Sequence, residues 1–109
     1  MIKRIKWAIQ GRSGKWSEVR KKHLSENGKC YGCESVKDLE VHHLKPFHLF
    51  PELELDPSNL VTVCKHCHLV TAHLKDYKLY NVDCLKDLYN FRNKRLAAQL
   101  GVLNENYSS

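Results

Sequence analysis

The ten residues CKHCHLVTAH, Cys64 to His73, hold two cysteines and three histidines. An earlier segment, CYGC, carries Cys30 and Cys33 in the same C-x-x-C spacing. Thiols two residues apart form a tight knuckle, and two knuckles complete the four tetrahedral ligands of a structural zinc ion. Cys30, Cys33, Cys64 and Cys67 fill that set with nothing left over. Such a clip joins distant segments and contributes on the order of 10 kcal/mol, a large term for a small core. Cys84 has no comparable neighbour and reads as a buried, inert thiol. Once the thiols are assigned, the adjacent pair His42 and His43 and the trailing His66, His68 and His73 still need a role.

Those side chains are aimed by short elements. LEVHHL, 39–44, reads as a strand with Leu39, Val41 and His43 on one side and Glu40, His42 and Leu44 on the other. The two histidines therefore diverge and do not bind one ion in the same way. Pro46, Pro51 and Pro57 mark 45–59 as a long restricted loop. NLVTV, 59–63, returns as the second strand. WSEVRKKHLSENGK predicts a helix capped by Ser17, with Glu18 at its positive end and Gly28 at its close. Trp16, Val19 and Leu24 would face inward and His23 outward. HLVTAHLKDYKLY predicts a helix after the second knuckle. DCLKDLYNFRNKRLAAQLGVL predicts a clearer one over about 83–100, capped by Asp83, stopped by Gly101, with Leu85, Leu88, Tyr89, Arg92, Leu96 and Leu100 in helical period. The class is α+β. Residues 1–15 read as a basic arm and 16–109 as one domain with its motif core at 30–73.

Composition narrows the partners. Hydrophobic residues at 42% and charged residues at 28% suit a folded, soluble domain rather than a disordered one. No apolar run spans a bilayer, and the N-terminus lacks a signal-peptide pattern, so the expected location is the cytoplasm, without membrane association. Residues 1–29 hold nine Lys and Arg against Glu18 and Glu26, a balance of +7; the remainder carries −1. A basic end on a near-neutral body points to a polyanion partner, most simply nucleic acid.

Between and just beyond the knuckles, LEVHHLKPF, FPELELDPSN, LVTVC and CKHCH resemble, in order and spacing, the HNH endonucleases, specifically the zinc-stabilised type common in bacteriophages. The resemblance covers about Cys30 to His68. It implies a small ββα-metal core flanked by helices, acting on DNA. It implies His42 as the first ligand of a catalytic divalent ion, a position often Asp in the family, and His43 as the general base. Asn59 matches the residue that orients the loop and base, and His68 the ligand that begins the helix. Many members carry a second helix histidine four residues on. Here that position is Ala72; His73 lies five residues on, where α-helical spacing argues against it as a ligand and leaves its role open.

The chemistry is consistent with that division. One ion on two protein ligands keeps open positions for phosphate, and an uncoordinated imidazole can take a proton from water. A histidine in place of Asp makes the site softer, admitting Mn²⁺, Ni²⁺, Co²⁺ or Zn²⁺ at least as readily as Mg²⁺. Lys3, Arg4, Lys6, Arg12, Lys15, Arg20, Lys45, Arg92, Lys94 and Arg95 are the candidate phosphate contacts. His66 reads as solvent-facing or touching phosphate. His48, Glu52, Glu54 and Asp56 read as solvated loop groups. The expected products carry 5′-phosphate and 3′-hydroxyl ends, as the resemblance implies. Two other readings share the motif: a non-catalytic zinc-stapled DNA-binding module, and an accessory subunit beside phage packaging proteins.

Overall fold

The computed structural model describes residues 13–101. Its centre is an antiparallel hairpin of β1 (Leu39–His43) and β2 (Leu60–Cys64), in which Leu39 faces Cys64, His42 faces Val61 and His43 faces Leu60. All five residues of β2 are buried, which suits its β-branched LVTVC sequence. β1 buries only His42 and His43, at its end. The polar end of β1 is thus the buried end, and that is where the histidine chemistry sits.

Helix α1 (Trp16–Glu26) packs across both strands with Trp16, Val19, His23 and Leu24 half-buried. Two expectations fail at its ends. Ser17 lies inside the helix; Lys15 occupies the cap position without a side-chain cap bond. Gly28 does not close it; the backbone N–H of Asn27 and its side-chain amide both donate to the His23 carbonyl, at 2.8 and 3.1 Å. His23, expected outside, turns inward because it shares the stripe of Trp16 and Val19. Burial lowers its pKa against the opposing pull of Glu26.

The first knuckle is tied to β2 by Tyr31 N–H on the Thr62 carbonyl at 2.9 Å, and the second to the start of β1 by Lys65 N–H on the Asp38 carbonyl at 3.0 Å. Gly32 is required by close approach: a Cβ there would lie 2.9 Å from Leu88 Cδ2 and 3.4 Å from Cys67 Sγ.

The helix predicted after the second knuckle is cut short. A single turn, α2 (Lys65–Cys67), runs into a π-helical turn, His68–Ala72. Leu74 and Lys75 then take left-handed φ values of 54° and 71°, which an L-residue helix does not continue through. The following loop is held by buried Asn81. Its N–H donates to the Ala72 carbonyl, and its side-chain amide to Thr71 O and Asp87 Oδ2.

Helix α3 (Cys84–Gln99) begins after Asp83, which forms no side-chain cap, and stops before Gly101 at a φ of 78°. Its buried face keeps only part of the predicted stripe, Leu88 and half-buried Arg92. Cys84 and Leu88 are buried, while Leu85, Tyr89, Leu96 and Leu100 are exposed. Cys84 and Leu88 join the core beside the π turn, and beyond them the helix packs on the first knuckle, so the face continues through half-buried Arg92 and Arg95. Arg92 Nε donates to Glu34 Oε1 at 3.2 Å, and Arg95 Nη1 donates to the Cys33 carbonyl at 2.7 Å. The architecture is small α+β, a two-stranded antiparallel sheet with helices against it. Among the described residues no helix is long and apolar enough to cross a membrane.

Candidate metal sites and the histidine cleft

The four knuckle thiols come together as the spacing predicts. Ligand atoms of Cys30, Cys33, Cys64 and Cys67 all lie within 4.8 Å of one another, and the Cys33 and Cys64 sulfurs are 3.5 Å apart. Cys30 Sγ accepts from Cys33 N–H and Cys64 Sγ from Cys67 N–H, as in a knuckle that cradles a thiolate. Burial raises the pKa of Cys33 and Cys67. At Cys30 burial also raises it, but the backbone N–H groups of Cys33, Cys64 and Gly32 outweigh that and the net shift is downward. Four clustered thiols, three of them buried, oppose one another's ionisation unless a cation sits among them, and a tetrahedral thiolate-binding ion fits. Cys84 is separate. It is buried, and its pKa is pushed up to about 11 by burial and then by Asp87.

A second cluster joins His42, His68 and His73, again with ligand atoms within 4.8 Å of one another. α-Helical spacing alone argues against His73 in such a set. The π turn removes that objection: His73 N–H donates to the His68 carbonyl at 3.0 Å, an i+5 bond that sets the two side chains on one face. The hydrogen bonds also define which nitrogens face inward. His68 Nδ1 meets Glu40 Oε1 at 2.9 Å, and His73 Nδ1 meets the Leu79 carbonyl at 2.7 Å. Both partners only accept, so both Nδ1 atoms carry the proton. Each neutral ring then presents a bare Nε2, and the two lie 3.1 Å apart. Two nitrogens each about 2.1 Å from one ion would lie roughly 3.0 to 3.4 Å apart at octahedral or tetrahedral angles. His42 Nε2 is buried with no hydrogen-bond partner. Burial, then the His68 and His73 rings, hold the His42 pKa down at about 3. Three converging lone pairs, one of them buried and unpartnered, are suited to a cation.

His43 goes elsewhere, as strand alternation predicts. Its Nε2 lies 2.9 Å from the Glu54 carbonyl, so Nε2 donates and Nδ1 is the basic nitrogen of the neutral ring. Its ring packs on Trp16 with centroids 4.5 Å apart. The Glu54 carbonyl is positioned by the proline-rich loop, and that loop by Asn59. Asn59 is buried; its Oδ1 accepts Lys45 N–H at 2.8 Å, and its Nδ2 donates to the Lys45 and Leu53 carbonyls at 3.1 Å each. Glu54, expected in solvent, is 2% exposed, and both its carboxylate oxygens accept Ser13 N–H at 3.1 Å. Sequence reasoning missed Glu54 and Glu40. For Glu40 a signal existed, a carboxylate on the same strand face as His42; for Glu54 the working atom is a backbone carbonyl, which residue type does not report.

The histidines line an open cleft of about 360 Å³ walled by Phe47, His48, Tyr77 and Tyr80. Tyr77 lies 5.0 Å from the His73 ring, centroid to centroid. Among the predicted phosphate contacts, Lys15, Arg20, Lys45 and Lys94 are exposed, as is His66. Arg92 and Arg95 are instead engaged with the first knuckle. Lys3, Arg4, Lys6 and Arg12, with most of the predicted basic arm, lie outside the described residues.

The sequence model of the HNH endonuclease family matches residues 30–71. That match, to under half of the chain, runs from the first knuckle into the π turn and stops short of His73. A search of curated proteins and one of solved structures each returned no match.

Proposed function

We propose that this chain is a metal-dependent endonuclease that hydrolyses DNA phosphodiester bonds to 5′-phosphate and 3′-hydroxyl ends, by nicking, double-strand cleavage or both. The supporting observation is the convergence of His42, His68 and His73 while the adjacent His43 turns onto a carbonyl. HNH domains are nuclease domains that act on DNA, which agrees with the match over residues 30–71.

In this reading His43 Nδ1 takes a proton from water. The Glu54 carbonyl, accepting from Nε2, favours the imidazolium that results and fixes the ring's tautomer. Trp16 braces that ring, and Asn59 keeps the loop that carries the Glu54 carbonyl in place. A divalent ion on His42, His68 and His73 would draw charge from the scissile phosphate and the leaving 3′ oxygen. Three neutral imidazoles favour Mn²⁺, Ni²⁺, Co²⁺ or Zn²⁺ at least as well as Mg²⁺. The four thiols suit a structural Zn²⁺. Exposed Lys15, Arg20, Lys45 and Lys94 are placed in the role of phosphate contacts that confer affinity and salt dependence without sequence choice.

A plasmid-nicking assay tests the reading. Zinc-loaded wild type should nick when a divalent ion is added and stop with EDTA. His43→Ala should fold, keep its zinc and lose cutting. Full activity of a clean His43→Ala preparation would remove His43 as the base.

A further inference from the structure

Glu40 lies two residues before His42, on the same face of β1. Its carboxylate reaches across to His68, with Oε1 2.9 Å from Nδ1. The Glu40 and His68 side chains are 43% and 17% exposed respectively, so the contact closes the solvent edge of the cluster rather than filling its core. Among the described residues it is the one carboxylate hydrogen-bonded to a ring of the His42, His68 and His73 set. Those three rings are neutral when they offer lone pairs, and so bring no charge to balance a divalent ion. A carboxylate on the far nitrogen of a ligating histidine fixes its tautomer and makes the near nitrogen more basic.

We propose that Glu40 is a positioning residue of the histidine site: it holds His68 with Nε2 facing inward and contributes the negative charge that a three-imidazole set lacks. This rests on reading the cluster as a metal site, and the test separates the two claims. Glu40→Gln keeps a carbonyl that can accept Nδ1–H but loses the charge; Glu40→Ala loses both. Zinc-loaded full-length protein is titrated with Mn²⁺ and with Ni²⁺ by calorimetry, with His42→Ala as a control.

Glu40→Ala should bind both ions roughly ten- to a hundredfold more weakly than wild type, the usual loss for an outer partner of a metal ligand. Glu40→Gln should fall between. The Ni²⁺ absorption spectrum of Glu40→Gln should match wild type, since the ligand set is unchanged. Melting curves without added ion should stay close to wild type, because Glu40 is half-exposed; a merely structural role would shift them and leave affinity alone. Glu40→Ala binding within about twofold of wild type, far short of the loss expected of an outer partner, overturns the proposal. Glu40→Gln matching wild type while Glu40→Ala is weakened also overturns it, by removing the charge. Equal binding by wild type and His42→Ala is a different failure: it rejects the metal site itself.

Discussion

Replacing Asn59 by Asp exchanges one amide nitrogen for oxygen, and the hydrogen bonds around it dictate the consequence. The Oδ1 that accepts Lys45 N–H is retained and gains charge. The Nδ2 that donates to the Lys45 and Leu53 carbonyls becomes an acceptor facing two acceptors. A charge-assisted bond gains about 1 kcal/mol over a neutral one, whereas burying a carboxylate costs several kcal/mol. Asn59 is buried, so the cost wins. Asn59→Ala removes three hydrogen bonds at about 0.5–1.5 kcal/mol each, roughly 2–4 kcal/mol in all. Asn59→Asp should lose at least as much at pH 7. Burial against carbonyls raises the folded-state pKa of the introduced carboxyl above an unfolded value of about 3.9. The penalty is therefore complete above the folded pKa and relieved as pH falls through it. Urea unfolding of zinc-loaded wild type, Asn59→Asp and Asn59→Ala at pH 7 and pH 5 measures both effects. Asn59→Asp within about 0.5 kcal/mol of wild type at pH 7, a margin typical of surface substitutions, would refute the hydrogen-bond assignment. So would a stability of Asn59→Asp, relative to Asn59→Ala, that does not improve at the lower pH.

Gly32→Ala should destabilise the zinc-loaded protein by about 1–3 kcal/mol, because the new methyl meets fully buried Leu88 and the Cys67 sulfur; denaturant midpoints would show it, and an unchanged midpoint would contradict the close approach. His73→Ala should weaken Mn²⁺ or Ni²⁺ binding at least tenfold in calorimetry, while His66→Ala leaves it unchanged; the five-residue spacing makes this a direct check on the π turn. Acid should destabilise through His42. Its folded pKa, about 3, lies below the unfolded value of about 6.5, so stability is lost as pH falls through that window, by up to about 1.4 kcal/mol per pH unit. His42→Asn should flatten that part of a stability–pH curve taken without added ion, and an unaltered slope would assign the acid sensitivity elsewhere.

The parts of this molecule that depend on local spacing are legible in its residues. C-x-x-C predicts a knuckle because two residues are enough to turn thiols toward one ion, and the two knuckles do meet. Alternation in LEVHHL separates His42 from His43, and the structure sends their rings to different partners. His73 escapes a reading at 3.6 residues per turn, because one π turn changes which residues share a face. The buried side of α3 escapes it in part, because apolar period assumes an apolar partner. Beyond Leu88 its partner is the first knuckle, where the Cys33 carbonyl and Glu34 recruit Arg95 and Arg92 and leave Tyr89 and Leu96 outside. Glu54 runs against the rule that a loop acid is solvated; here the Ser13 N–H and the loop that Asn59 holds bury it. At α3 and Glu54 a tertiary contact replaces a local rule; at His73 one local hydrogen-bonding pattern replaces another.

The most direct test is a crystal structure of the zinc-loaded protein soaked in Mn²⁺, with anomalous scattering to locate the ion. Manganese should lie within bonding distance of His42, His68 and His73, with His43 still on the Glu54 carbonyl and zinc among the four cysteines. Manganese bound by His43, or none at the three histidines, would contradict the account.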